Sequence, residues 1–167
     1  MTISRWSRHL LGSRHQLTRH FPVDCLAAIK AAIARAEAMH RGEIRFAVEA
    51  ALQPEQLWRG LSARERALEV FSTLRVWDTE HNNGVLIYVL LADRAVEIVV
   101  DRGIHTKSGG SEVWRNIITA MQSAFAEGHF ASGSVDGVAA VAAELACHFG
   151  ATGSDGNELP DDVVLLK

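Results

Sequence analysis

Three short stretches of this 167-residue chain hold side chains able to do chemistry together. Asp78, His81, Asn82, Asn83 and Gly84 stand at the entrance to a long apolar run, and Asp101, Arg102, Gly103 and His105 stand at the exit from the next. His40 and Glu43 stand ahead of an earlier segment in which apolar and polar residues alternate. Carboxylates, imidazoles and carboxamides that converge on one face can coordinate a cation, with Asp78 and Asp101 as the candidate ligands. The same face can instead take a phosphate, through Arg102 and the backbone N–H groups near Gly84 and Gly103. In a phosphate-ester hydrolase Asp101 would be a metal ligand or general base, Asn82 or Asn83 a metal or phosphate contact, and Arg102 the anion clamp. Each residue also has a plain structural explanation. Asn-Asn-Gly suits any tight turn into a strand, because Asn and Gly tolerate positive φ. Asp101 can cap the end of a strand, and loop histidines such as His105 are usually solvated. No Gly-x-Ser-x-Gly, Walker A, His-Glu-x-x-His or Gly-x-Gly-x-x-Gly pattern is present, so hydrolase elbows, nucleotide loops and zinc-peptidase helices gain no support.

The elements that must position these residues are read from periodicity. After Pro22, the residues Val23, Leu26, Ile29, Ile33 and Met39 predict an alanine-rich helix that ends near Arg41-Gly42. Glu43 to Ala50 alternates as a half-buried strand does. Gln53 to Gly60 reads as a connection, and Ser62 with Glu65 forms a capping box for a helix running to about Val76. Val85 to Leu91 is a continuous apolar run suited to a strand covered on both faces. Ala92-Asp93-Arg94 turns the chain into a strand over Ala95 to Asp101, an antiparallel hairpin. A polar loop passes Gly109-Gly110, and two more helices follow, over Glu112 to Glu127 and Ser132 to Phe149. A right-handed crossover makes the first two strands parallel, and the third returns antiparallel. That topology brings all three candidate stretches to one edge of the sheet.

Charge is distributed unevenly about a net of -3. Residues 1–22 carry +4 through Arg5, Arg8, Arg14 and Arg19, residues 151–167 carry -3, and the body between them is -4 by difference. An acidic body argues against nucleic acid as a partner. The two cysteines, Cys25 and Cys147, fall on apolar stripes of predicted helices and have no metal-ligand spacing, which points to buried thiols in a reducing compartment. Arginines interrupt every stretch that could serve as a secretory signal, and no window approaches about 20 apolar residues, so no transmembrane segment is expected. Residues 1–21 read as a basic amphipathic arm, suited to an unknown protein partner, to peripheral contact with a membrane, or to folding back on its own domain. Residues 151–167 read as a polar flexible tail. Its last residues, Val163 to Leu166, are apolar enough to add an edge strand to this sheet or to a neighbour's.

Three spaced motifs carry a resemblance. They are Asn83-Gly84-Val85-Leu86-Ile87, then Val96 through Ile104, then Phe125-Ala126-Glu127-Gly128-His129-Phe130-Ala131-Ser132-Gly133. In this order, from about Phe21 to Phe149, the chain resembles the TPM domain family. The resemblance implies an α/β fold with Rossmann-like layering: a small mixed sheet of about three to five strands with helices on both faces. It places the domain at residues 22–150. It also implies acid phosphatase activity on phosphate esters and a divalent cation, calcium or magnesium, as the cofactor. Because family members include a protein associated with photosystem II repair, a non-enzymatic interaction or membrane-associated assembly module is the alternative. The chain departs from the family pattern where Asn82-Asn83-Gly84 replaces Asp-Asn-Gly, which exchanges a carboxylate for a neutral amide. Without a signal or anchor, it resembles a cytoplasmic branch.

Overall fold

Pro22 holds φ at −65° and has no N–H to leave unpaired, which suits the position just before a helix. The computed structural model describes residues 3–11, 14–105, 111–150 and 157–166. Two short helices, Ile3–Leu11 (α1) and Arg14–His20 (α2), lead into Val23–Glu37 (α3), which buries Cys25, Ile29, Ala32, Ile33 and Ala36. Glu43–Glu49 (β1), Pro54–Trp58 (α4), Ala63–Thr73 (α5), Gly84–Leu90 (β2) and Ala95–Val100 (β3) follow. The remaining elements are Arg102–His105 (α6), Ser111–Ala126 (α7), Phe130–His148 (α8) and Val164–Leu166 (β4). The capping box starts α5 as its sequence predicts: Ser62 Oγ accepts the Glu65 N–H at 3.1 Å and Glu65 Oε2 accepts the Ser62 N–H at 2.8 Å. The stretch expected as a connection holds the short helix α4, closed by its own Gln53 and Gln56 capping box. The Gly109-Gly110 loop lies outside the described residues, while Arg102 to His105, ahead of it, is helical.

The strands form one mixed sheet in the order β3-β2-β1-β4. β1 runs parallel to β2 and β4, and β2 runs antiparallel to β3. Ile44, Phe46, Val48, Ile87 and Ile98 pack in one core with residues of α3, α7 and α8. Leu86, Tyr88, Leu90 and Val99 pack in a second core with Ala67 and Val70 of α5. Helices therefore cover both faces, and β2 is buried throughout. α8 has the length and composition to cross a bilayer, with 19 residues and a mean hydropathy of 1.3. Here its apolar stripe of Val138, Val141, Ala142 and Leu145 is buried in the first core, and α8 packs on α3 and α7. Gly137 permits the approach of α7, because a methyl group there would sit 2.4 Å from Met121 Sδ. Cys147 falls off that stripe and is exposed, contrary to its expected burial, whereas Cys25 is buried.

The alternation in β1 predicts one wet face, yet all seven residues are buried. Glu49, with no exposed surface, receives Arg66 Nε and Nη2 at 2.9 and 3.0 Å and the Tyr88 hydroxyl at 2.5 Å. Glu43 accepts the backbone N–H groups of Glu158 and Leu159 at 3.3 and 3.0 Å, and Arg45 donates to the Pro160 carbonyl. The end of the chain thus covers β1 and then pairs with it as β4, Val164 opposite Ala47. Val164–Leu166 is the edge strand that its apolar residues suggest, and residues 157–163 lie against the domain where a flexible tail was expected, while 151–156 lie outside the described residues. At the other terminus, α1 is clasped to the β2–β3 turn. Arg5 Nη2 reaches Asp93 Oδ2 at 2.8 Å, and the buried His9 bridges Asp93 and the Leu52 N–H. The basic arm is folded back, with Leu17 and Phe21 in the core.

Two outcomes follow from the polar side of β1. Arg66→Met strands a fully buried carboxylate and should cost about 3–5 kcal/mol in urea unfolding, and Tyr88→Phe about 1.5–3 kcal/mol. A loss from Arg66→Met of only about 1 kcal/mol, the scale of a surface pair, would refute the buried linkage. Burial pushes the Glu37 carboxyl up to about 8, with nearby Glu43 and Asp161 adding to the rise and the Ile44 N–H opposing it. A group raised above its ordinary 4.5 keeps its proton in the folded protein after the unfolded chain has lost it. Its stabilising contribution is complete below that ordinary value and disappears as pH rises through about 8. Thermal midpoints should therefore fall from about pH 5 to about pH 8, and Glu37→Gln should flatten the decline. An unchanged slope in that variant would show that Glu37 does not drive it.

Candidate functional site

The register Glu43 opposite Gly84 and Val85 opposite Val100 sets the starts of β1 and β2 beside the end of β3. The three stretches singled out in the sequence therefore share one edge. Gly84 is required there by contact: a methyl group would lie 1.9 Å from the Val76 carbonyl oxygen. Asn82 adopts φ 51°, the left-handed conformation that asparagine tolerates. A methyl group on Gly103 would lie 2.4 Å from the Asn82 carbonyl oxygen, so the first turn of α6 presses directly on the 81–82 loop. The Asp101 N–H donates to the Gly84 carbonyl at 2.9 Å, which joins the two loops again.

Asn83 is fully buried and acts as a fastener. Its Nδ2 donates to the Arg41 carbonyl at 2.5 Å, its N–H to Thr79 Oγ1 at 3.1 Å, and its carbonyl accepts the Glu43 N–H at 3.2 Å. Asp101 is also buried and caps α6. Its carbonyl accepts the Ile104 and His105 N–H groups, and Oδ1 accepts the Arg102 N–H at 2.6 Å. These bonds account for much of what the sequence offered as chemistry. They leave Asn83 Oδ1 and Asp101 Oδ2 buried without a hydrogen-bond partner among the described residues, and His40 Nε2 likewise. Burial lowers the His40 pKa. Its Nδ1 accepts the Gly42 N–H at 3.1 Å, which places the proton of the neutral ring on Nε2. The edge thus holds two uncommitted buried acceptors and one uncommitted buried donor.

Asn82, Asn83, Gly84, Asp101 and Gly103 are brought together. Arg102 and His105 are exposed on α6 beside them, and Asp78 is exposed in the turn leading to Asn82, with its N–H on the Arg75 carbonyl. Glu43 is already taken up by the end of the chain. Among the described residues no three His, Cys, Asp or Glu side chains are grouped as a metal cage. A calcium site of 6–8 oxygens is therefore not preformed there. The available donors, one carboxylate oxygen and one amide oxygen, fit magnesium, which keeps several waters and takes one or two carboxylates together with substrate phosphate.

Sequence reasoning missed Thr79, which holds Asn83, and the Glu49–Arg66–Tyr88 cluster. A buried glutamate facing an arginine-bearing helix across 17 positions leaves no local pattern. It also missed a cavity of about 560 Å³ at the other end of the sheet, beyond the carboxyl end of β2. One signal for that cavity was present: Phe125, Gly128 and Phe130 of the third sequence motif line it.

Comparison with protein families matches residues 23–144 to the TPM domain. Among solved structures the chain is similar to the BA42 protein of the psychrophilic bacterium Bizionia argentinensis, determined by NMR. The TM-score is 0.72 at 32% identity, over 85% of this chain and 92% of that one. It is also similar in fold to the N-terminal domain of a P. gingivalis protein, with a TM-score of 0.55 at 21% identity over 74% of this chain and 76% of that one. No curated protein matches. With the domain matched across most of its length, the chain belongs to the TPM domain family.

Proposed function

We propose that the protein hydrolyses phosphate esters at the loop edge, with magnesium shared between the chain and the substrate. The observation that supports this reading is the buried, unpartnered Asp101 Oδ2 beside the exposed Arg102. The matched family also carries phosphatase in its name. Asp101 is fixed through Oδ1 on the Arg102 N–H, so its second oxygen is held ready as metal ligand or general base. Arg102 supplies a guanidinium for phosphate oxygens. Asn83 Oδ1 offers an acceptor to an attacking water, and the tight contacts at Gly84 and Gly103 hold the two loops together. Asp78 adds a carboxylate from the solvent side. Magnesium, when bound, would neutralise charge on the phosphoryl group.

Asp101→Asn keeps the cap on α6 and removes the charge. It should lower magnesium-dependent turnover of p-nitrophenyl phosphate by about 100-fold or more, while Asp78→Asn costs only a few-fold. Since the chain alone supplies few ligands, magnesium should raise the thermal midpoint clearly only when phosphate is also present. Unchanged turnover in folded Asp101→Asn would remove the proposal.

A second reading, a non-enzymatic docking module, rests on Trp58 and Trp77, which are 82% and 49% exposed. Large aromatics in solvent suit an interface. Partner capture that is lost in Trp58→Ala and kept in Asp101→Asn would favour this reading.

A further inference from the structure

The loop edge lies at the amino ends of β1 and β2. In open α/β sheets, ligands more often bind beyond the carboxyl ends of the parallel strands. In this molecule that end holds the cavity of about 560 Å³, within the range of about 300–1,000 Å³ that accommodates small-molecule ligands. Its walls come from α1 and α2, the end of β2 with the β2–β3 turn, the end of α7 and the start of α8.

The chemistry of the lining is one-sided. Arg8 and Arg94 stand at it as cations, Gln16 and Gln122 as neutral hydrogen-bonding groups, and no carboxylate is among the described lining residues. Two acids adjoin lining residues in sequence: Glu127, which is exposed and lies 3.5 Å from His129 Nδ1, and Asp93, which is already committed. Burial pushes its pKa up, but hydrogen bonds from Arg5 and His9 more than offset this and hold the carboxyl ionised, below its ordinary range. Asp93 accepts Arg5 through Nε and Nη2 and His9 through Nε2, so the more distant Arg8, at 3.7 Å and 49% exposed, is left to face solvent and cavity. Arg94 is exposed and has no side-chain partner among the described residues. Its backbone sits at φ 51°, where a glycine or asparagine would be at ease, yet the position carries a guanidinium.

The same cavity is lined by aromatic rings. Phe125 and Phe130 stack with centroids 5.0 Å apart, and the His20 ring lies 4.3 Å from Phe130. Burial lowers the His20 pKa, with Arg19 adding to the effect, so near neutral pH the ring is an uncharged partner for a flat ligand. Leu91 and Ala95 contribute apolar surface to the same lining.

We propose that this cavity is a binding site for a small organic anion with a flat apolar body. Arg8 and Arg94 hold the anionic group, and the Phe125–Phe130–His20 wall takes the body. It is separate from the loop edge, and none of Asp78, Asn82, Asn83, Asp101 or Arg102 lines it.

Phenylphosphonate, which cannot be hydrolysed, serves as the probe and is titrated into the full-length ¹⁵N-labelled protein. Saturable shifts are expected for the amides of residues 91–95 and 122–130. Inorganic phosphate and benzyl alcohol, each carrying half of the chemistry, should bind at least about tenfold more weakly. The double variant Arg8→Gln, Arg94→Gln should weaken phenylphosphonate about tenfold or more, with its thermal midpoint checking that it remains folded. Arg102→Gln, at the loop edge, should leave this binding unchanged. The proposal is overturned if no saturable shift appears by roughly 10 mM, if the shifts fall only at residues 78–84 and 101–105, or if the double variant binds as wild type. The Arg102→Gln control keeps failure here distinct from failure of the phosphatase reading.

Discussion

A charged side chain on a strand buried on both faces must find its partners inside the protein. β1 places three such residues, Glu43, Arg45 and Glu49, along one side, and much of the architecture answers that demand. Arg66 of α5 and Tyr88 of β2 close around Glu49, which ties the helix and the neighbouring strand to β1 through one carboxylate. The backbone of residues 158–160 serves Glu43 and Arg45, which brings β4 into register at the sheet edge. Polar satisfaction, as much as apolar contact, thus determines which elements lie against the second face.

That dependence explains what could be read from the sequence and what could not. The Ser62 and Glu65 capping box, the apolar run of β2 and the tight hairpin into β3 are local signals, and each appears where the residues place it. The convergence of Asn83, Gly84 and Asp101 follows from strand order alone. β1 is different: its alternation is real, but the cover over Glu43 and Arg45 comes from 115 positions away. No window centred on β1 contains Pro160. Cys147 was placed on a stripe that the spacing of Val138, Val141, Ala142 and Leu145 actually carries past it. The cavity escaped notice because its cations and rings come from positions as far apart as Arg8 and Phe130.

The two ends of the sheet differ in character. At the amino ends of β1 and β2, tight backbone contacts at Gly84 and Gly103 leave little space, and the uncommitted atoms are single oxygens within buried hydrogen-bond networks. At the carboxyl end of β2, the β2–β3 turn and the folded-back arm stand apart from the α7–α8 break and enclose real volume. β2 connects these settings, and its seven residues span about 23 Å.

The clasp between α1 and Asp93 has a consequence for how the chain is made. A ribosome releases the amino terminus first, at about 5–20 residues per second, yet Arg5 must wait for a partner 88 positions later. β1 emerges early as well, with Glu43 and Arg45 bare until residues 158–160 have been synthesised. Both closures therefore wait on residues made well after the groups they serve, and the nascent chain carries an uncovered strand face until residues 158–160 emerge.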